Sequence, residues 1–274
     1  MKNERENLKT KKRIVIKVGS STITHKDTET LDYAKLEKLV RIITDQHNMG
    51  KDVVLVSSGA IAVGRHAIGL KERPKTLAVK QACAAIGQAS LMTIYQKLFS
   101  EYNQTCAQVL LTKFMLRDES YKNACNTFAE LFKLGAVPIV NENDTVSTAE
   151  IKIGDNDSLS AYVTALVDAD LLILMSDIDG LYTADPNKDK NAKFIDVVDD
   201  IEKVRSMAGD TASSVGTGGM VTKLHAATIA TKTGADMVIT NGDDVENIRR
   251  ILNGENTGTL FKAAPDKDFD FRNE

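Results

Sequence analysis

The chain has 274 residues, of which 42% are hydrophobic and 27% are charged, and its formal net charge is -3. This composition is typical of a globular domain, and the small negative charge leaves no basic surplus for binding nucleic acid or a membrane surface. The three cysteines form no CxxC pair, so a disulfide framework and a zinc site are both disfavoured and we expect a cytoplasmic location.

Short apolar runs alternate with helical patterns along the chain. Runs rich in Val, Ile and Leu predict buried strands at residues 14–18, 53–56, 106–111, 137–140, 171–175 and 237–240. Amphipathic patterns predict helices at residues 33–47, 76–100, 119–134, 156–167, 220–233 and 245–252, three of them closed by Gly50, Gly135 and Gly234. This alternation predicts an α/β fold, a three-layer αβα sandwich around a mostly parallel central sheet.

We expect one domain over residues 14–262, with polar tails at residues 1–13 and 263–274. The first thirteen residues lack the apolar core of a secretory signal. The longest apolar run, residues 171–175, is far shorter than the roughly 20 residues that span a bilayer.

The two common nucleotide-binding fingerprints do not match. Gly59 and Gly64 have the spacing of a P-loop, but Arg65 and His66 follow where Lys and Ser or Thr are required. The only G-x-G, at residues 216–218, lacks its third glycine and has no strand immediately before it. A P-loop enzyme and a Rossmann dehydrogenase are therefore disfavoured.

The first two strands end in residues that suit an anion. Lys17 lies in an apolar strand before a Gly-Ser turn, where an ammonium is costly unless it meets an anion. The alternative is a lysine that snorkels from an edge strand. Ser57, Ser58 and Gly59 lead from the next strand into an Ala-rich helix, which predicts either an anion site or a serine N-cap.

The next polar segment is the most distinctive. Its side chains are Asn141, Glu142, Asn143, Asp144, Asp155, Asn156 and Asp157. Because a carboxylate can hold an α-ammonium and amides can hold a carboxylate, the segment predicts an amino-acid site. The Gly and final Glu of an EF-hand calcium loop are absent, and turn-and-cap chemistry remains the alternative.

A glycine-rich segment at residues 215–223 precedes the next helix. Lys223 is expected in the first turn of that helix, where backbone N–H groups, the helix dipole and an ammonium would act together. The segment therefore predicts a polyphosphate site, and a flexible glycine loop is the alternative.

These segments together resemble the amino acid kinase family. The matching strings are K-V-G-S-S, S-G-A, N-E-N-D, A-E-I-x-x-G-D-N-D, G-L-Y-T-x-D-P and G-T-G-G-M-x-T-K, in that order between residues 14 and 261. Within the family, the match is best with members that phosphorylate the side-chain carboxylate of L-glutamate, the step that leads to proline. The resemblance implies ATP and Mg²⁺ as cofactors, an N-terminal amino-acid half and a C-terminal nucleotide half.

The resemblance also implies a role for individual residues. It places ATP near Lys17, Ser176, Asp177, Thr217, Gly218, Gly219, Met220, Val221, Thr222 and Lys223. It places glutamate against Ser58, Asp144 and Asn156. Lys17 and Lys223 would act in catalysis with Asp157 organising them, and Mg²⁺ would be held mainly by the ATP phosphates rather than by protein ligands.

Two alternatives remain beside this interpretation. One is another kinase of the family, acting on aspartate, acetylglutamate or a nucleoside monophosphate, and the other is a catalytically silent nucleotide or amino-acid sensor. A sensor does not need transition-state charge stabilisation, so the presence of both lysines with Asp157 argues against silence. We further expect no C-terminal PUA domain, a homo-oligomer, feedback inhibition by proline, and hand-over of an unstable acyl phosphate to the next enzyme.

Overall fold

The computed structural model describes residues 4–113, 118–147, 155–184, 189, 191–209 and 218–273. Its strands are β1 Arg13–Val18, β2 Asp52–Ser57, β3 Cys106–Leu111, β4 Val137–Glu142, β5 Leu171–Ser176, β6 Leu181–Tyr182, β7 Phe194–Ile195, β8 Val197–Val198, β9 Asp236–Asn241 and β10 Thr259–Phe261. Its α-helices are α1 Ser20–Ile23, α2 Tyr33–Asn48, α3 Ala60–Ala67, α4 Leu77–Ser100, α5 Asp118–Lys133, α6 Asn156–Leu166, α7 Ile201–Gly209, α8 Gly218–Lys232 and α9 Asn247–Leu252. All six predicted strands and all six predicted helices are present, with bounds that differ from the predictions by at most two residues.

The central sheet has the strand order β3-β4-β2-β1-β5-β9-β10-β8, and β6 pairs separately with β7. Every pairing in the central sheet is parallel except that of β10 with β9. Because β1, β2, β4 and β5 are parallel neighbours, their carboxyl ends meet at one edge of the sheet. That edge is where ligands bind in open α/β sheets.

Alternate residues of each strand enter opposite halves of the core. Val15 of β1 packs in a cluster with residues of α5, α6 and α8, whereas Ile14 and Ile16 pack with residues of α2, α4 and α9. Successive side chains of a strand point to opposite faces, so the apolar runs cover both faces of the sheet. The predicted three-layer αβα sandwich is confirmed.

β1 lies at the centre of the sheet, between β2 and β5. Lys17 pairs in register with Val56 on one side and Leu174 on the other. The interpretation of Lys17 as a lysine on an edge strand is therefore wrong, and its ammonium must find its partner inside the fold.

Two close contacts join α3 to α4. A Cβ atom added at Gly64 would lie 1.8 Å from the carbonyl oxygen of Cys83, and one added at Gly87 would lie 1.8 Å from that of Ala60. Gly64 is thus required by the packing of the two helices. This packing explains why a P-loop spacing occurs here without P-loop chemistry.

The structure corrects one detail at the start of α8. The helix begins at Gly218, two residues before its predicted start at residue 220, so Lys223 lies in the second turn and not in the first. The prediction relied on the spacing of apolar side chains, and the glycines at the start of the helix have no side chain and so gave no signal.

Both end segments contact the body of the fold. Arg5 donates hydrogen bonds to the carbonyl oxygens of Thr257 and Gly258, at 2.9 and 2.7 Å, and the Phe271 ring lies 6.2 Å from that of Tyr121. Across the described ranges, no helix is both long enough and apolar enough to cross a membrane.

Candidate active site

A buried carboxylate joins two lysines from distant parts of the chain. Lys17 Nζ lies 2.6 Å from Asp157 Oδ1, and Lys223 Nζ lies 3.1 Å from Asp157 Oδ2. Asp157 is only 5% exposed, and both lysines are buried as well. We call Lys17, Asp157 and Lys223 the lysine cluster. Its two positive charges and one negative charge give a net charge of +1.

Local structure fixes the Asp157 side chain in the lysine cluster. Asp155 caps α6, because its Oδ1 accepts a hydrogen bond of 2.9 Å from the backbone N–H of Ser158. Asp157 therefore lies in the first helical turn, where the helix dipole stabilises a carboxylate. Thr222 Oγ1 is also close to this carboxylate, at 3.4 Å from Asp157 Oδ2.

Opposing effects act on the pKa of Asp157. Burial raises it, but the charges of Lys17 and Lys223 and their hydrogen bonds outweigh burial and hold the pKa below its ordinary value of 3.8. The carboxylate is thus ionised at neutral pH. The remaining positive charge is partly desolvated and suits an anionic ligand.

A second group of polar residues lies beside this cluster at the ends of β2 and β4. Asn156 Nδ2 donates to Ser58 Oγ at 2.7 Å and to Asn141 Oδ1 at 3.1 Å. Asn141 Nδ2 in turn donates to Gln88 Oε1 at 3.0 Å. The predicted pair Ser58 and Asn156 is therefore brought together. No sequence pattern singled out Gln88, and Asn141 was recognised only as part of a polar segment.

A cavity of about 740 Å³ opens beside these residues. Ser58, Asp144 and Asn156, which the sequence predicts for acceptor binding, all line it. Glu142 and Asp155 add carboxylates to the lining. The volume is in the range of small-molecule sites.

The β2–α3 junction owes its shape to glycine. Gly59 has φ = 106° and caps α3 without a side-chain hydrogen bond, so the interpretation of the serines as N-caps is wrong. A Cβ atom at Gly59 would lie 2.9 Å from Ile23 Cδ1. Ser57 Oγ is instead 2.8 Å from Tyr95 Oη, which leaves Ser58 to contact Asn156.

Apart from Lys17 in β1, the described residues that were predicted for ATP lie at the end of β5 and in α8. Ser176 Oγ donates to Asp177 Oδ1 at 3.0 Å, and Thr222 Oγ1 donates to the carbonyl oxygen of Gly219 at 3.0 Å. Lys223 Nζ also donates to that carbonyl oxygen, at 3.2 Å. The other predicted residues of α8 are Gly218, Met220 and Val221, and Thr217 lies outside the described residues.

Sequence comparison gives relatives over nearly the whole chain. The family model described as the amino acid kinase family matches residues 12–241. A glutamate 5-kinase of Carboxydothermus hydrogenoformans is 52% identical over 267 residues, which are 97% of this chain and 72% of that protein. A glutamate 5-kinase of Clostridium acetobutylicum is 55% identical over 251 residues, which are 91% of this chain and 94% of that protein.

Solved structures with low sequence identity share the fold. The UMP kinase of Ureaplasma parvum aligns with a TM-score of 0.65 and 18% identity, over 92% of this chain and 99% of that one. Carbamate kinase of Giardia lamblia, bound to AMP-PNP, aligns with a TM-score of 0.64 and 17% identity, over 93% of this chain and 100% of that one. The family match, the close relatives and the shared fold agree: the chain belongs to the amino acid kinase family.

Proposed function

We propose that this chain transfers the γ-phosphoryl group of ATP to the side-chain carboxylate of L-glutamate, giving glutamyl 5-phosphate in the first step of proline biosynthesis. The observation that carries the proposal is the lysine cluster beside a cavity of about 740 Å³, in a chain 52% identical to a glutamate 5-kinase. Asn156 lines the cavity and is adjacent in sequence to Asp157, so it connects the cavity to the lysine cluster.

The proposed reaction needs no general base. The glutamate side chain has an ordinary pKa of about 4.3, so its carboxylate is already ionised at neutral pH. A carboxylate oxygen forms a bond to the γ-phosphorus while the bond from that phosphorus to the β–γ bridging oxygen breaks, and ADP leaves. Catalysis then depends on alignment and on stabilising the charge of the phosphate oxygens.

Lys17 and Lys223 are proposed to stabilise that charge. Asp157 is proposed to act as a positioning residue, because each of its oxygens contacts one of the two ammonium groups. Donors held in place before the reaction do not have to reorganise during it.

The nucleotide is proposed to lie against Ser176, Asp177 and the start of α8, with residues 217–223 around its phosphates. In the part of the chain that the structure describes, no group of three or more His, Cys, Asp or Glu side chains is placed to bind a metal ion. Mg²⁺ is proposed to bind the ATP phosphates and to neutralise part of their charge.

A panel of acceptors tests the proposal. ADP release is measured with L-glutamate, L-aspartate, acetylglutamate and UMP, and hydroxylamine is added to trap an acyl phosphate as a hydroxamate. We expect release with L-glutamate and a glutamate-derived hydroxamate. Release with another acceptor alone would assign the chain to a different member of the family, and no release with any acceptor would favour a sensor.

Proline is proposed as a feedback inhibitor that competes with glutamate. Proline shares the α-carboxylate and a cationic nitrogen with glutamate, so Asp144 and Asn156 are able to contact both ligands. Residues 145–153 join the two sides of this site, and residues 148–153 lie outside the described residues. We expect millimolar proline to raise the glutamate concentration needed for half-maximal rate, as measured by ADP release. Equal rates with and without proline would reject this regulation.

Other expectations remain predictions. They are the division of residues 14–262 into an amino-acid half and a nucleotide half, the homo-oligomer, the cytoplasmic location and the hand-over of the acyl phosphate.

A further inference from the structure

The cavity is also lined by basic side chains that the proposed reaction leaves without a role. Lys26, Arg65, Arg73 and Lys80 line it. Three of these side chains are exposed, as cations on a protein surface usually are, whereas Arg65 is buried. The side chain of Arg65 is 9% exposed, against 82% for Arg73.

The guanidinium of Arg65 is incompletely paired. Its Nη2 donates to Glu29 Oε2 at 2.5 Å and lies 2.9 Å from His66 Nε2. Its Nε is buried and has no hydrogen-bond partner among the residues that the structure describes. A buried donor without a partner destabilises a protein, so a ligand atom that reached it would be bound favourably.

Glu29 is the counter-charge of Arg65 and is shared. Its carboxylate is also hydrogen-bonded to the exposed Arg73, and its backbone has φ = 53°, which is uncommon for a residue other than glycine. The hydrogen bond from Arg73 and the weaker contribution of Arg65 hold the pKa of Glu29 below its ordinary value, although burial opposes them. We call Arg65, Glu29 and Arg73 the arginine cluster.

The lining of the cavity therefore carries groups of both charges. Glu142, Asp144 and Asp155 suit an ammonium group, while Arg65 suits a carboxylate because its planar fork matches the two oxygens. An α-amino acid carries both groups on one carbon. The side-chain carboxylate of glutamate must face the lysine cluster, so its α-carboxylate needs a different cation.

On the basis of the proposed function, we propose that Arg65 binds the α-carboxylate of the amino-acid acceptor and thereby determines acceptor specificity. Glu29 occupies Nη2 of Arg65 when no acceptor is bound and competes with that carboxylate. Acceptors that keep the side-chain carboxylate but carry an amide in place of the α-carboxylate are then rejected.

Direct binding measurements test this role without requiring turnover. Binding of L-glutamate and of its α-amide is measured by calorimetry in the absence of ATP, for the wild-type chain and for Arg65→Lys. We expect the wild type to prefer glutamate by about ten- to hundredfold, the effect of one charged hydrogen-bonding contact. Arg65→Lys keeps the charge but removes the fork, so the preference is expected to fall severalfold through weaker binding of glutamate.

Arg73→Lys is the matched control, because Arg73 contacts the same carboxylate of Glu29 from an exposed position. It is expected to retain the wild-type preference. If Arg65→Lys weakened both ligands by one factor, or kept the full preference, Arg65 would have only a structural role and the inference would be overturned.

Glu29→Gln provides a test that leaves Arg65 in place, and it decides the matter if Arg65→Lys does not fold. Removal of the competing carboxylate is expected to tighten binding of glutamate without tightening that of the α-amide. An unchanged or reduced preference for glutamate would overturn the inference. Failure of the proposed function has a different signature, since the wild type would then release no ADP with L-glutamate even if it bound glutamate selectively.

Discussion

The lysine cluster and the arginine cluster have the same composition, one carboxylate between two cations, but they differ in burial. In the lysine cluster, Asp157 is 5% exposed and each of its oxygens contacts one lysine. In the arginine cluster, the side chain of Glu29 is 32% exposed and one of its two partners, Arg73, lies in solvent.

The difference shows how burial decides what a charge cluster can do. A buried pair is strengthened by the low local dielectric and resists separation, so the lysine cluster can present fixed positive charge in every reaction cycle. In the arginine cluster only Arg65 is enclosed, whereas Glu29 is partly exposed and shared with Arg73 in solvent, so water screens its charge and its partners exchange more readily. The arginine cluster can therefore release Arg65 to a ligand.

Asp157→Asn is expected to have the largest effect. The substitution leaves two buried ammonium groups without a counter-charge, and loss of one partner of a buried ion pair costs about 3–5 kcal/mol in the free energy of unfolding. Denaturant unfolding of Asp157→Asn and of Glu29→Gln gives the comparison, and the Glu29 variant is expected to lose much less. Similar losses of unfolding free energy in both variants would show that the difference in burial does not make the two clusters differ in stability.

Lys17→Ala and Lys223→Ala are expected to act on rate more than on stability. Each removes one stabiliser of transition-state charge, which typically costs about 10²–10³ in kcat. Steady-state kinetics on folded, purified variants measure this, with Lys133→Ala, at an exposed lysine outside the cavity lining, as a control that is expected to keep near-normal turnover. Near-normal turnover in either lysine variant would remove that lysine from the mechanism.

Asp144→Asn tests the acidic residues that line the cavity. If Asp144 contacts the α-ammonium, its substitution weakens glutamate binding by about ten- to hundredfold, the range for one charged hydrogen bond, and leaves ATP binding nearly intact. Separate titrations with glutamate and with a nucleotide measure the two affinities. A fall in nucleotide affinity instead would reject the division into two half-sites.

The smallest expected effect is the pH dependence of stability. Burial raises the pKa of Asp157 and the two lysines lower it by more, so the folded pKa lies below the ordinary value of 3.8. The unfolded chain thus takes up this proton at a higher pH than the folded protein. The stabilisation is fully present above about pH 4 and is lost as the pH falls through the folded pKa. The difference in unfolding free energy between the wild type and Asp157→Asn should therefore shrink as the pH falls below the ordinary value of 3.8. A constant difference would contradict the lowered pKa.

The secondary structure was predictable because apolar patterns report on local burial. The strand at residues 171–175 and the helix at residues 76–100 could be predicted from the spacing of their apolar residues and from the residues at their ends. The need of Lys17 for an anion also followed from sequence, since an unpaired ammonium in an apolar strand carries a large desolvation cost. The order of the strands required the folded structure, because pairing depends on contacts between distant segments.

Sequence alone determined the fold class, the resemblance to the amino acid kinase family and the set of residue types at the site. Only the tertiary structure decided that Lys17, Asp157 and Lys223 meet, since 140 and 66 residues separate the carboxylate from its two partners. It also decided that Gly64 serves helix packing and that Arg65 is buried beside the cavity. Such roles depend on burial and on contacts across the sheet, and neither is encoded in the local pattern of a single segment.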